Sequence, residues 1–255
     1  LTASFYLCIL LPKELFMIGI IGAMQVEIEQ LLPKMKGITS HKISGVVYHH
    51  GRLAGVECVL AQCGIGKVAA AVCAQTMFLR YHPQAVLCEG VAGGIGKSIR
   101  IGDQVVASAL VQHDMDTSAV GDPVGYISGL GQIEMNTSKE ISDLLCRCAE
   151  KAHPGHVHRG VIATGDQFIA DPARLKQLSQ KFGAVSCEME GGAIAQVCCM
   201  AGIPFAVLRS ISDNADDDAK VAYTSFVKVA AHQNTEVLLA ALPGLAEWEK
   251  THETH

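Results

Sequence analysis

Short apolar runs that end in glycine or a carboxylate, each followed by a helical pattern, recur along this chain and narrow its fold more than any other feature. Met17-Ile-Gly-Ile-Ile stops at Gly22, and Ala85–Cys88 runs into Glu89-Gly-Val-Ala-Gly-Gly94. Val161–Ala163 opens into Thr164-Gly-Asp-Gln-Phe-Ile169, and Phe205-Ala-Val-Leu208 leads to Arg209, Ser210, Ser212 and Asp213. Runs this apolar are buried on both faces, as strands of a covered parallel sheet are. Val46–His50 and Val56–Gln62, turning at Gly55, and Gln104–Val111 read as further strands. Helices are predicted after Met24, with Ile28, Leu31 and Leu32 on one face, and over Val68–Tyr81. Others are predicted near 137–152, 172–181 and 188–201, and over Tyr223–Leu242. The alternation predicts an α/β fold: a single domain with a mixed, mostly parallel central sheet flanked by helices.

Composition agrees with that size of core. Of 255 residues, 49% are apolar and 18% charged, too apolar for disorder. No repeat or linker divides the chain, so residues 17–245 are expected to form one domain. Residues 1–16 read as an N-terminal extension outside the fold, and 246–255 as a polar C-terminal tail. The apolar stretch Phe5–Leu11 is too short to span a bilayer and lacks the basic start and small-residue cleavage site of a signal peptide. A degenerate export signal is the alternative reading of it. The net charge of −5, with no Lys/Arg cluster, argues against a nucleic-acid surface.

Ten cysteines are present, without a C-x-x-C pair, and Cys58, Cys73, Cys88, Cys198 and Cys199 sit in apolar runs. There they act as small hydrophobes, which points to a reducing, cytoplasmic setting. His153, His156 and His158 lack helical metal-ligand spacing and read as a solvated turn. Asp213, Asp216, Asp217 and Asp218 lack the glycine and glutamate of a calcium loop. Gly96-Lys97-Ser98 ends like a phosphate loop, but Val91 stands where its first glycine belongs. No metal and no cofactor is expected.

What remains are unusual groups at strand ends: Glu27, Gly64–Gly66, Gly90–Gly94, Gly165–Phe168, Glu188–Glu190 and Asp213. Ends of parallel strands lie on one side, so these groups are expected to converge there. Glu27 falls on the core-facing stripe of its helix, where a carboxylate is costly unless paired or working. Its bland alternative is a boundary glutamate reaching water. Glu188 has one too, as an acid favoured by a helix N-terminus. Two carboxylates in different environments can divide acid and base roles.

GIIGAMQVEIE, CGIGKVAAA, GVAGG, TGDQFI, CEMEGGAIAQVC and LRSISDNAD stand in the order and spacing of 5′-methylthioadenosine/S-adenosylhomocysteine nucleosidases. The chain resembles that family, part of the purine nucleoside phosphorylase-like superfamily, from Met17 to about Leu242. The resemblance implies hydrolysis of the bond between adenine and a 5′-thio-substituted ribose. Glu27 matches the carboxylate that activates water, and Asp213, beside Ser212, the acid that protonates adenine N7. Phe168 would stack on the purine while the backbone of Ile169 reads its edge. Glu190 would hold the ribose hydroxyls over Met189, and Ala92 and Gly93 would line the floor with Cys187 and Glu188. Arg209 would orient the glutamates, and Ile65 and Tyr223 would wall the 5′-thio group. The family is homodimeric, and His113–Ser128 matches the loop that closes the partner's pocket.

Three departures bear on specificity: Val91 where many relatives have Ser, Tyr223 where Phe is common, and a segment Val120–Ser128 short of aromatics. The variants also resemble a subgroup that accepts 6-amino-6-deoxyfutalosine; 5′-deoxyadenosine is a further candidate substrate. Two rival functions stand beside this one: a phosphorylase of the same fold, and a non-catalytic binding or adhesion protein that has kept it. A phosphorylase needs anion recognition at the anomeric face, where this chain offers Glu27 and Val91.

Overall fold

The computed structural model describes residues 16–96, 98–214 and 219–252. The N-terminal residues 1–15, Lys97 of the apparent phosphate loop, and Asp216, Asp217 and Asp218 lie outside the described residues.

Among the described residues ten strands form one sheet: β1 (Met17–Gly22), β2 (Lys36–Ile43), β3 (Val46–Leu53), β4 (Val56–Gln62), β5 (Ala85–Gly94), β6 (Gln104–Gln112), β7 (Met135–Asn136), β8 (Val157–Thr164), β9 (Ala184–Glu188) and β10 (Phe205–Asp213). The helices are α1 (Gln25–Ile28), α2 (Lys67–Tyr81), α3 (Lys139–Ala152), α4 (Pro172–Phe182), α5 (Gly191–Ala201) and α6 (Ala219–His252). The spatial order is β10-β6-β8-β9-β5-β1-β4-β3-β2, and β10 also pairs with β5. Five strands, β10, β6, β8, β9 and β5, therefore close into a ring, from which β1, β4, β3 and β2 extend the sheet.

The parallel pairings β1–β4, β1–β5 and β5–β10 make the centre of the sheet, where the apolar runs predicted them. Antiparallel pairs supply the margins and close the ring. All nine residues of β10 are buried, as a strand hydrogen-bonded on both sides and covered on both faces must be. Helices cover the two sides. One apolar cluster packs α2 and α5 on the sheet through Met77, Phe78 and Ile194. The other packs α1, α3 and α6 through Ile28, Leu145 and Leu238, and it includes Phe16, at the foot of β1. A third, smaller cluster seats α4 through Leu175 and Leu178.

Several elements differ from expectation for local reasons. The helix after Met24 is a single turn, followed by a 3-10 turn over Leu32–Lys34 that Pro33 opens. β2 was not predicted, because an edge strand with seven of its eight residues exposed has no apolar period to read. Gly90–Gly94 is strand rather than loop, and β9 is a five-residue strand that precedes the helix expected from 188. α6 does not end at Leu242; it runs through Pro243 to His252 with Leu245 fully buried, so residues 246–252 continue the helix. Residues 153–155 do form a turn and His156 is exposed, but His158 belongs to β8, and His156 Nδ1 and His158 Nε2 hydrogen-bond the buried Asp103 carboxylate at 2.9 and 2.8 Å. Among the described residues no helix is long and apolar enough to cross a membrane. The nine described cysteines are free, and burial pushes Cys58, Cys73, Cys88 and Cys187 up to about 12, leaving them inert thiols.

Candidate active site

One cavity of about 510 Å³, its open mouth included, lies beyond the carboxyl ends of β1, β5 and β10, and the ring turns the ends of β8 and β9 toward it as well. That volume suits a small-molecule ligand. Its wall contains Glu27, Ile65, Ala92, Gly93, Phe168, Cys187, Glu188, Met189, Glu190, Ser212, Asp213 and Tyr223, all singled out from sequence. Two others predicted for the site do not line it. Ile169 packs its side chain into the small cluster with Ile95 and Val111, and Arg209 lies beneath the wall. Val91, expected at the anomeric face, also lines it, and Ala23 and Met24 are lining residues that sequence reading did not assign to the wall.

Glu27 owes its position to the abrupt end of β1. The chain turns after Gly22 into α1, and the carboxylate folds back over that start. Its Oε2 accepts from the backbone N–H of Ala23 at 2.6 Å and of Met24 at 2.8 Å; its Oε1 accepts from Val91 N at 3.0 Å. Glycine is required beside it, since a Cβ on Gly90 would stand 2.5 Å from Glu27 Oε1 and 2.8 Å from Arg209 Nη1. Burial raises the Glu27 pKa above the usual carboxylate range, against the pull of the Arg209 charge and the three N–H donors. A carboxylate so placed is fixed in direction and more basic than one in water.

Asp213, 2% exposed, ends β10. Adjacent residues of a regular strand point to opposite faces, yet both Ser212 and Asp213 line the cavity. A bulge between Ile211 and Asp213 in the pairing with β5 accounts for it. The Ser212 hydroxyl lies 2.9 Å from Asp213 Oδ2 and 3.4 Å from the carbonyl of Ala92, so it donates to one of the two at a time.

The two remaining glutamates divide sharply. Glu188 is fully engaged: Arg209 Nη2 donates to its Oε2 at 2.5 Å, Gly191 N at 2.7 Å and Glu190 N at 3.1 Å, and the Thr164 hydroxyl donates to Oε1. Burial alone would raise its pKa, but the Arg209 charge and these donors hold it below the ordinary value. The helix-terminus reading of Glu188 fits this geometry, since it caps the start of α5 from the preceding strand. Glu190 accepts one bond, from Gly66 N at 2.9 Å, and otherwise faces the cavity. Burial, then the nearby Glu188 charge, push its pKa up to about 7. It therefore has acceptor capacity left for a ligand's hydroxyls.

Aromatic rings guard the mouth. Phe168, 53% exposed, meets Tyr223 edge to face at 5.7 Å between centroids. Tyr223 donates its hydroxyl to the Met24 sulfur at 3.0 Å, which ties α6 to the turn that carries Glu27. The site thus offers a flat apolar slot, a hydroxyl-binding glutamate, a buried base and a buried acid. That set can bind a planar base joined to a sugar and cleave the bond between them.

Comparison with known proteins agrees with that chemistry. The profile of a family described as the phosphorylase superfamily matches residues 17–243. A 5′-methylthioadenosine/S-adenosylhomocysteine nucleosidase of Shewanella halifaxensis is 38% identical over 234 residues, covering 89% of this chain and 99% of that one. The solved nucleosidase of the same description from Helicobacter pylori is 37% identical with a TM-score of 0.86, covering 91% of this chain and all (100%) of its own. A solved futalosine hydrolase mutant of Helicobacter pylori is 36% identical with a TM-score of 0.86, over 90% of this chain and 100% of its own.

Proposed function

The chain belongs to the 5′-methylthioadenosine/S-adenosylhomocysteine nucleosidases of the phosphorylase superfamily, and we propose that its pocket hydrolyses the N-glycosidic bond of both nucleosides. The products are adenine and the 5′-thio-substituted ribose. The observation that carries this reading is the pairing of two buried carboxyl groups on one cavity, Glu27 on three backbone N–H groups and Asp213 beside Ser212.

Glu27 takes a proton from water as the oxygen attacks the anomeric carbon, and its charge stabilises the oxocarbenium-like ribose that develops. Asp213 gives a proton to N7, so adenine leaves as a neutral base rather than an anion. Phe168 stacks on the purine, with the backbone of Ile169 reading its edge, and Glu190 accepts from the ribose hydroxyls above Met189. Ile65 and Tyr223 border the 5′ substituent. Arg209 acts through Glu188, whose carboxylate it anchors, and Ala92, Gly93 and Cys187 complete the floor.

Water rather than phosphate suits the anomeric face. Glu27 stands there beside the apolar Val91, and its charge would repel an anion. Adenine release from methylthioadenosine in phosphate-free buffer tests the reading. Turnover that required added phosphate would make the protein a phosphorylase, and no release under either condition would leave a binding protein.

A wider substrate range is a second reading, favoured by the likeness to a futalosine hydrolase and by Val91 in the wall. Release of adenine from 6-amino-6-deoxyfutalosine and from 5′-deoxyadenosine measures it. A homodimer is also proposed. Val68, Val72 and Leu79 are exposed along α2, which begins just after the exposed Ile65 at the mouth of the cavity, and Val120 is exposed on the 113–128 loop. Sedimentation showing a fully active monomer would remove this idea. The free, buried cysteines suit a reducing, cytoplasmic setting.

A further inference from the structure

Three charged side chains at the mouth of the pocket, none of them among the residues that line it, form a closed ring of hydrogen bonds. Lys67 begins α2, and its backbone N–H donates to Asp166 Oδ1 at 2.7 Å. Asp166 returns its own N–H to Asp114 Oδ2 at 2.9 Å. Asp114 closes the ring by accepting from Lys67 Nζ at 2.7 Å, and Gln112 Oε1 accepts from the same ammonium at 3.2 Å. The three come from sequence-distant segments: the turn into α2, the segment after β6 and the segment after β8.

Two of its members, Lys67 and Asp166, stand within two positions of a residue that borders the pocket, and Asp114 ties them together. Gly66, next to Lys67, donates its N–H to Glu190, and Ile65 before it borders the cavity. Phe168 follows Asp166 by two residues. Gly66 adopts φ +96, and a Cβ there would lie 3.0 Å from Asp166 Oδ1, so glycine lets the Asp166 carboxylate come close to the backbone at the start of α2. Asp166 therefore closes the start of α2 from another segment, and the same bond fixes the spacing between the purine face and the ribose face.

We propose that Asp166, Lys67 and Asp114 are positioning residues that set the width of the nucleoside slot, holding Phe168 at a fixed distance from Ile65 and Glu190. The proposal rests on the nucleosidase reading for the ligand, though not for the clasp itself. Glu27 and Asp213 hang from α1 and β10, which take no part in the ring, so loosening it leaves the reacting groups in place. The consequence is specific: binding weakens while the chemical step is kept.

The test is Asp166→Ala beside Asp166→Asn, with KM and kcat for methylthioadenosine measured separately and amide exchange followed over 63–67 and 164–169. Asp166→Ala is expected to raise KM about tenfold or more, the loss of one charge-assisted bond. It should keep kcat within a few-fold and speed exchange in both segments, whereas Asp166→Asn, which retains the acceptor oxygen, restores most of the affinity. Lys67→Met combined with Asp166→Ala should cost less than the sum of the two changes, because either opens the ring. An unchanged KM with unchanged exchange overturns the proposal. So does a fall in kcat at constant KM, which marks a loss of folded enzyme instead. Wild-type protein without turnover would sink the proposed reaction alone, since the exchange measurement reads the clasp without catalysis.

Discussion

Glu89 sits on β5 with 1% of its surface exposed, and neither carboxylate oxygen meets a hydrogen-bond donor among the described residues. Its Oε1 and the Glu27 Cβ each lie 3.2 Å from the point where a Gly22 Cβ would be. Asn234 stands near enough to favour the charged form, since Nδ2 donates one N–H to the Gly90 carbonyl at 2.6 Å and has a second, yet this is outweighed. Burial first, then the Glu27 charge, push the Glu89 pKa well above the carboxylate range, against Arg209 and Asn234. The folded state thus keeps a proton that the unfolded chain releases near pH ~4.3. With the folded pKa raised, stability is fully present below the unfolded pKa and drains away as pH rises toward the folded one. In that window the cost is up to about 1.4 kcal/mol per pH unit. Glu89→Gln copies the neutral acid and removes its titration. Melting temperatures of the two proteins should agree near pH ~4 and below, and then diverge in favour of the variant by roughly 3–5 °C per pH unit. Calorimetry across that range reads the gap directly. Parallel curves would refute the reasoning and mean that Glu89 is ionised with a partner.

Asp213→Asn and Glu27→Gln should each cut turnover of methylthioadenosine by about 10² to 10⁴-fold while binding persists, as loss of a positioned acid or base does; wild-type rates in either would refute the assignment. Because burial raises the Glu27 pKa, the acid limb of the wild-type rate profile should lie above the usual carboxylate range, and a limb at or below that range would count against it. Gly90→Ala places a methyl 2.5 Å from Glu27 Oε1, and the shift it forces should cost about 10² in kcat, measured beside an unchanged fold by circular dichroism. Burial would raise the Asp103 pKa, but hydrogen bonds from His156 and His158 hold it low, so its contribution is present above the unfolded value and is lost as pH falls through the folded one. Asp103→Asn should therefore cost about 1–3 kcal/mol near neutrality and progressively less below pH ~4, read from urea midpoints.

The pocket was more legible in the sequence than the sheet that builds it. Glu27 betrayed itself by lying on an apolar helical stripe, and Asp213 by ending an apolar run, since both break a local pattern. Glu188 and Glu190 looked alike, and only the placement of Arg209 and Gly66 separates an anchored carboxylate from an available one. Ring closure had no local trace, because it depends on β10 pairing with β5 and β6 on its two sides. Glu89 was read as the opening of a glycine loop; its isolation arises from β5 continuing to Gly94 and from Asn234 on α6, 145 positions away in the sequence. The grip of His156 and His158 on Asp103 spans more than fifty residues and is equally invisible to periodicity.

Closing five strands into a ring also decides how copies of this chain can meet. A strand that is paired on both sides has no row of free N–H and C=O groups to offer a neighbour. Among the described residues the long open edge is β2, and it presents Lys36, Lys42 and an exposed surface along nearly its whole length. Lysines on a free edge discourage strand addition. Growth into an extended ribbon is thereby blocked at the place where it would begin, and self-association is left to helix faces, which bury area once and then stop.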